Sequence, residues 1–343
     1  LRILGLHDGS GCGYYRLVLP LTELTKHGHE VTLANYFEEE IVTALRSASD
    51  YDLVVAERLH KYEGLSSWRR ARTQNNRLVF ENDDNIFAVA KENWAAYNLY
   101  EKLDVREAVV AYSEWADMVT VTTEPLAEIF RQFNDNTVVL PNCLPDVAYV
   151  PYDQNPDTSN RRLRVGWVGG ASHGRDVHTC TPSVRKFIKR ENDWDLYLGG
   201  NDYRPTFKVP LDRAHFEPWH AVTDDTEAYY ASMDFDIGLC PVLETDFAKS
   251  KSAIKAIEYG ARGIPVIASD VTCYRDYVQH GYNGFLAKTD HEWLKYLHLL
   301  ANDEDLRRTM GRNNRAKAED YHMSSKWGFW EAAYQSMYKE KVR

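Results

Sequence analysis

Residues 247–269 read FAKSKSAIKAIEYGARGIPVIAS. Ser250 has the chemistry of a helix N-cap, a helix is expected from there to about Tyr259, and Gly260 or Gly263 ends it ahead of a strand over 264–269. Lys251, Lys255 and Glu258 stand at i, i+4 and i+7 and share one face, while Ile254, Ile257 and Ala261 define the apolar one. The charged face looks either into a cleft or into solvent. In a cleft, Lys251 on the first turn would add its charge to the helix dipole and favour a diphosphate. Glu258, about 10 Å further along at ~1.5 Å per residue, could then accept both hydrogen bonds of a ribose diol. In solvent the same residues form an ordinary i,i+4 charge pattern.

The surroundings repeat this alternation of helix and strand. Upstream, short apolar runs at 163–170, 195–200, 214–219 and 235–241, and downstream one at 284–287, predict a parallel sheet covered by helices. A second set of runs fills the first half, at 2–6, 30–33, 52–56, 77–81, 118–123 and 137–141, with a long helical pattern over about 93–116. Between the halves, 149–162 is rich in Pro, Asp, Asn and Ser and reads as a linker. Trp327, Trp330, Ala333, Tyr334 and Met337 recur at helical spacing in the tail and form an apolar stripe that needs a partner. The chain of 343 residues is thus read as two α/β domains, 1–150 and 163–323, followed by a C-terminal helix over 324–343.

Each half opens with a strand, a glycine loop and a helix, an arrangement whose backbone N–H groups can approach a phosphate. In the first loop, GSGCG, Gly9, Gly11 and Gly13 follow G-x-G-x-G rather than the dinucleotide fingerprint, and a plain tight turn is an equal reading. The second loop, GGASHGRD, brings Gly169, Gly170, Ser172, His173 and Arg175 directly after a strand, and the Arg fork suits phosphate oxygens. A surface loop with solvated His and Arg is the alternative there.

The formal charge of −10 repels nucleic acid and anionic membranes, although WRRAR at 68–72 is locally basic. Cys12, Cys143, Cys180, Cys240 and Cys273 are scattered without a C-x-x-C pair, so neither a disulfide framework nor a zinc site is expected and a reducing, cytoplasmic setting fits. No apolar run is long enough to cross a bilayer, and the opening segment breaks into glycines too early for a signal peptide.

The stretch EYGARGIPVIAS (258–269), followed by YRDYVQHGYNGFLA (274–287), resembles the donor-site signature of retaining family 4 glycosyltransferases with the GT-B fold. ADMVTVTTEPLAEIF with VVLPNCLP (116–145), RVGWVGGASHGRD (164–176), YYASMDFDIGLCPV (229–242) and the opening glycine loop with its G-H-E-V turn follow the same order, so the likeness runs through nearly the whole chain. Only the block 247–287 is specific by itself. The K-S-x-x-K-x-x-E pattern of 251–258 is similar to divergent bacterial and phage members.

The resemblance implies two Rossmann-like domains facing a central cleft and transfer of a sugar from a nucleoside diphosphate sugar to an acceptor hydroxyl with retention. It implies neither an obligatory metal nor a dedicated protein nucleophile. Glu258 would hold the ribose. Arg175 and Lys251, with the helix N-terminus near Ser250 and the amides of Gly11, Gly13, Gly169 and Gly170, would stabilise the departing diphosphate, and His173 would add a hydrogen bond. Ser172, Ser250, Ser252 and Lys255 complete the expected donor set. Many members carry a further Glu before the ribose ligand where this chain has Ser250, so the identity of the donor sugar does not carry over. In ENDDN (81–85), Asp83 and Asp84 suggest the metal-binding D-x-D of the unrelated GT-A enzymes. At the end of the fourth strand they instead fall on the acceptor side, where Asp83 and Asp84 orient an acceptor or cap a loop. Glycans, proteins and small molecules are the expected acceptors, with modified DNA disfavoured by charge. Other GT-B chemistry, such as a nucleotide-sugar epimerase, and a catalytically silent sugar-nucleotide-binding module are the alternatives.

Overall fold

The computed structural model describes residues 1–9, 11–36, 41–73, 75–91, 93–151 and 161–339. The chain divides into two compact units, one of Leu1–Pro145, Ser250–Ser252 and Tyr321–Arg343, the other of Asp146–Lys249 and Ala253–Asp320. The central part of the expected linker, 152–160, lies outside the described residues.

The first unit is built on six parallel strands, β1 (Arg2–His7), β2 (Glu30–Asn35), β3 (Leu53–Glu57), β4 (Arg77–Asn82), β5 (Met118–Val121) and β6 (Thr137–Val139). Their order is β2-β1-β3-β4-β5-β6, the flavodoxin-like order with one strand added. β3 is buried along its whole length and β4 nearly so, as befits central strands of a sheet covered on both faces. The helical pattern of 93–116 resolves into two helices, Trp94–Tyr100 and Leu103–Trp115, because Lys102 takes an extended ψ of 128° and breaks the ladder.

The C-terminal helix Met323–Lys339 packs on Leu19–Thr25. Trp330 and Tyr334 are fully buried there, and Trp327 stacks on His27 with ring centroids 3.5 Å apart. His29 Nε2 lies 3.1 Å from Glu331 Oε1, and the Tyr338 hydroxyl donates to the Asp52 carbonyl.

The second unit holds β7 (Leu163–Gly169), β8 (Trp194–Gly200), β9 (Ala214–Pro218), β10 (Ile237–Cys240), β11 (Val266–Ser269) and β12 (Gly284–Ala287), all parallel. The order β12-β11-β10-β7-β8-β9 is that of a dinucleotide-binding sheet, and its direction reverses between β7 and β10. Trp167, Val184, Phe187, Leu198 and Trp293 centre the core.

One helix positions the chemistry described below. It runs Ile254–Ala261, and Tyr259 fixes it to the sheet by covering Gly238 of β10 and accepting the Val168 N–H of β7 at 3.0 Å. Gly263, with φ +71°, ends it in a left-handed turn in which its own N–H reaches the Gly260 carbonyl at 2.7 Å and that of Ile264 the Tyr259 carbonyl at 2.9 Å. The start differs from the sequence expectation. Ser250 is not an N-cap: a short helix, Asp246–Lys249, closes first, and 250–253 form a non-helical break before Ile254. The Ser250 carbonyl accepts the Thr123 hydroxyl at 2.7 Å and Ser252 Oγ accepts Asn142 Nδ2 at 2.9 Å, interactions that compete with helix formation.

Candidate functional site

In the second unit the expected donor residues converge on the C-terminal end of β7. The Gly169–Gly170 loop is stiffened from below: Asn201 donates its N–H to the Gly169 carbonyl at 2.9 Å, and the Tyr203 hydroxyl lies 3.2 and 3.0 Å from the carbonyls of Gly170 and Ala171. Lys255, on the first turn of Ile254–Ala261, donates to the Val168 carbonyl at 2.6 Å, with its ammonium 5.6 Å from the Trp167 ring centroid. A side chain at Gly169 would come within 3.2 Å of that ammonium, so glycine loop and cation are immediate neighbours. Lys255 therefore holds the first-turn place expected of Lys251, because the helix begins at Ile254 rather than directly after Ser250.

His173 meets Trp167 edge-on at 5.9 Å and places Nδ1 2.9 Å from Asp176 Oδ2. The other Asp176 oxygen accepts the Leu243 N–H at 2.9 Å, so this carboxylate orients the imidazole and ties the loop after β7 to that after β10. Ser172 and Arg175 are exposed on the same turn. One helical turn beyond Lys255, Glu258 is 2% exposed and accepts the Tyr229 hydroxyl at 2.9 Å. Burial beside the Glu258 charge pushes the Tyr229 phenol well up, so it stays protonated and acts as the donor. Neither Asp176 nor Tyr229 was picked out from the sequence. The H-x-x-D spacing of one helical turn was a readable signal for Asp176; Tyr229 lies 29 residues from its partner and carried none.

The first unit gathers a different chemistry at the ends of β1, β3 and β4. Arg58, with φ +47°, turns its guanidinium toward the carboxylates of Asp8, Glu57 at 3.2 Å and Asp83 at 3.7 Å. Burial pushes the Glu57 carboxyl up despite Arg58. Asp84 is likewise raised by burial, against the pull of Lys251, whose ammonium lies 3.9 Å away. The loop cap at this strand end is Asn85, which accepts the Phe87 N–H at 3.2 Å. Gly13 comes so close to this cluster that a Cβ would sit 2.7 Å from Glu57 Oε2. Gly13 thus packs directly against the carboxylates of Glu57 and Asp8. Gly11 and Gly13 lie on a single helical turn, Gly11–Gly13, that runs into a wider turn over Tyr14–Val18.

Beneath this layer Arg16 and Glu81 form a buried bidentate pair, Nε–Oε1 2.8 Å and Nη2–Oε2 3.1 Å. Arg16 Nη1 also reaches the Leu140 carbonyl at 2.6 Å and Asn142 Oδ1 at 2.9 Å, and Asn142 in turn holds Ser252.

Two parallel six-stranded sheets in this order, each beginning with a glycine turn, define the GT-B architecture. The fold is shared with HepE of Anabaena, solved in complex with UDP and glucose, at TM-score 0.71 and 14% identity over 98% of this chain and 100% of that one. Sucrose-phosphate synthase from Thermosynechococcus elongatus aligns at TM-score 0.68 and 15% identity, over 99% and 100%. A putative UDP-N-acetylglucosamine 2-epimerase from Listeria monocytogenes aligns at TM-score 0.60 and 13% identity, over 100% and 98%. A sequence comparison with curated proteins finds no match. Residues 162–303, which contain β7 to β12, Lys255 and Glu258, match the family model described as glycosyl transferases group 1. The second unit carries a group 1 glycosyltransferase domain, and the protein is a glycosyltransferase of GT-B fold.

Proposed function

We propose that the protein transfers a glycosyl group from a nucleoside diphosphate sugar to an acceptor hydroxyl, with retention at the anomeric carbon and without an obligatory metal. The observation that carries this is the corner at the end of β7, where Lys255 and the Gly169–Gly170 loop meet one helical turn from Glu258. As the bond from the anomeric carbon to the diphosphate breaks, negative charge grows on the departing oxygen. Lys255, Arg175 and the loop amides stabilise it, with His173 held ready by Asp176. Glu258 accepts from the ribose hydroxyls, and Ser172 lies on the same turn as His173.

The first unit's end of β4 receives the acceptor. Its carboxylates, Asp84 among them, suit a hydroxyl-rich or cationic group and repel a polyanion such as DNA. A glycan, a protein or a small molecule fits that chemistry. Lys251 stays with this side, next to Asp84. Among the described residues no helix is long and apolar enough to cross a membrane, and the scattered cysteines, with no C-x-x-C pair, suit a reducing, cytoplasmic setting.

Glu258→Gln keeps the shape and removes the charge that strengthens a ribose hydrogen bond, so nucleoside diphosphate affinity falls by about ten- to a hundredfold in calorimetry. An unchanged affinity removes Glu258 from the site. Because Arg58 and Lys251 already stand against Asp83 and Asp84, transfer survives EDTA. Strict dependence on manganese or magnesium, abolished by Asp83→Ala, contradicts that part of the proposal.

A further inference from the structure

We infer that Tyr229 is the positioning residue for the ribose end of the donor: its hydroxyl, bound to Glu258 Oε1, fixes the carboxylate that receives the nucleotide's diol. The inference rests on the reading of Glu258 given above and adds a residue to it.

Glu258 and Tyr229 are both buried, and a carboxylate so placed must be hydrogen-bonded to remain ionised. A glutamate reaching from a helix has several rotamers to lose on binding. A fixed donor on one oxygen removes that freedom before the ligand arrives, which lowers the entropic cost of the diol contact. The donor itself is well anchored. Tyr229 lies on the helix Thr226–Ala231, whose N-terminus is capped by Asp225 Oδ1 accepting the Ala228 N–H at 2.8 Å. Its ring packs edge-on against Tyr230 at 5.1 Å and against Trp219 at 6.3 Å. Trp219 follows directly on β9, is 49% exposed, and its ring lies so close to Gly200 that a Cβ there would be 2.5 Å from Cε3. The ring of Tyr229 is thereby packed on Trp219, which follows β9 and lies against Gly200 at the end of β8, so its anchors lie outside the helix that carries Glu258.

A purely structural hydrogen bond and a positioning one differ in a measurable way. The positioning bond acts on the ribose contact alone, so its loss changes the discrimination between a ribonucleotide and its 2′-deoxy counterpart. A structural bond lost would weaken both alike. The experiment is calorimetric titration of the full chain with UDP and 2′-deoxy-UDP, with the ADP and GDP pairs in parallel, for wild type, Tyr229→Phe and Glu258→Gln. Circular dichroism melts of all three check that folding is kept. Wild type should prefer the ribonucleotide by about tenfold, the worth of one hydrogen bond to a charged group, Glu258→Gln should abolish the preference, and Tyr229→Phe should cut it to about threefold or less. A full preference retained in Tyr229→Phe, alongside its loss in Glu258→Gln, overturns the role of Tyr229 and leaves Glu258 in place. A preference retained in Glu258→Gln, or no ribonucleotide preference in wild type for any pair, overturns the ribose assignment and the role of Tyr229 together.

Discussion

Lys255→Ala lowers turnover by about a hundred- to a thousandfold, the scale seen when one preorganised donor to a developing negative charge is removed. The expectation follows from where the ammonium is held. Its bond to the Val168 carbonyl fixes Lys255 at the mouth of the Gly169–Gly170 loop, so its charge is in place before the diphosphate leaves. A contact that tightens as charge grows contributes to the transition state more than to the bound donor, so kcat falls much further than donor affinity. Lys255→Arg keeps the charge but replaces a compact ammonium with a planar fork in a space already bounded by Trp167, and should recover only part of the rate. If Lys255 serves only to satisfy the Val168 carbonyl, the alanine variant will melt at lower temperature yet keep wild-type kcat. Lys251→Ala provides the contrast: its ammonium lies beside Asp84 on the first unit, so its loss should spare nucleotide affinity.

The strands and much of the corner at the end of β7 were legible because their signals are local. The twelve strands of the described residues form where the apolar runs stand; for the central ones this is because a buried parallel strand needs a continuous short run of apolar residues, whereas edge strand β2 is largely exposed. The glycine turn after β7 and the face shared by Lys255 and Glu258 follow from loop chemistry and from helical spacing. The start of the donor helix was misjudged because a serine followed by a helical pattern looks like a cap from sequence. Here the partners of Ser250 and Ser252 are Thr123 and Asn142, more than a hundred residues away. The split of 93–116 had no warning either, since Glu101 and Lys102 are good helix formers. Tyr229 and Arg58 escaped for the same reason as Ser250: their roles are set by residues brought near only by the topology.

Removal of the buried pair under the first unit's site should have the largest effect on stability. Arg16 and Glu81 have side chains 0% and 1% exposed, and all three nitrogens of the guanidinium are engaged, by Glu81, the Leu140 carbonyl and Asn142. The Thr120 hydroxyl also donates to Glu81. Glu81→Ala leaves a cation with no counter-charge in the core, and such a loss costs about 3–5 kcal/mol. Breaking an exposed pair such as Arg131 with Glu124 should cost far less, since water and salt already screen it. The double variant Arg16→Met with Glu81→Leu removes both charges at similar volume and should regain most of the loss, because the desolvation cost disappears with the attraction. Denaturant unfolding of the single and double variants checks this, and equal destabilisation by Glu81→Ala and the exposed-pair variant contradicts it. The double variant should still bind donor nucleotide, because Lys255 and Glu258, proposed above to hold it, lie on the second unit. It should transfer more slowly, because Asn142 loses Arg16 and with it the support that holds Ser252 next to Lys251.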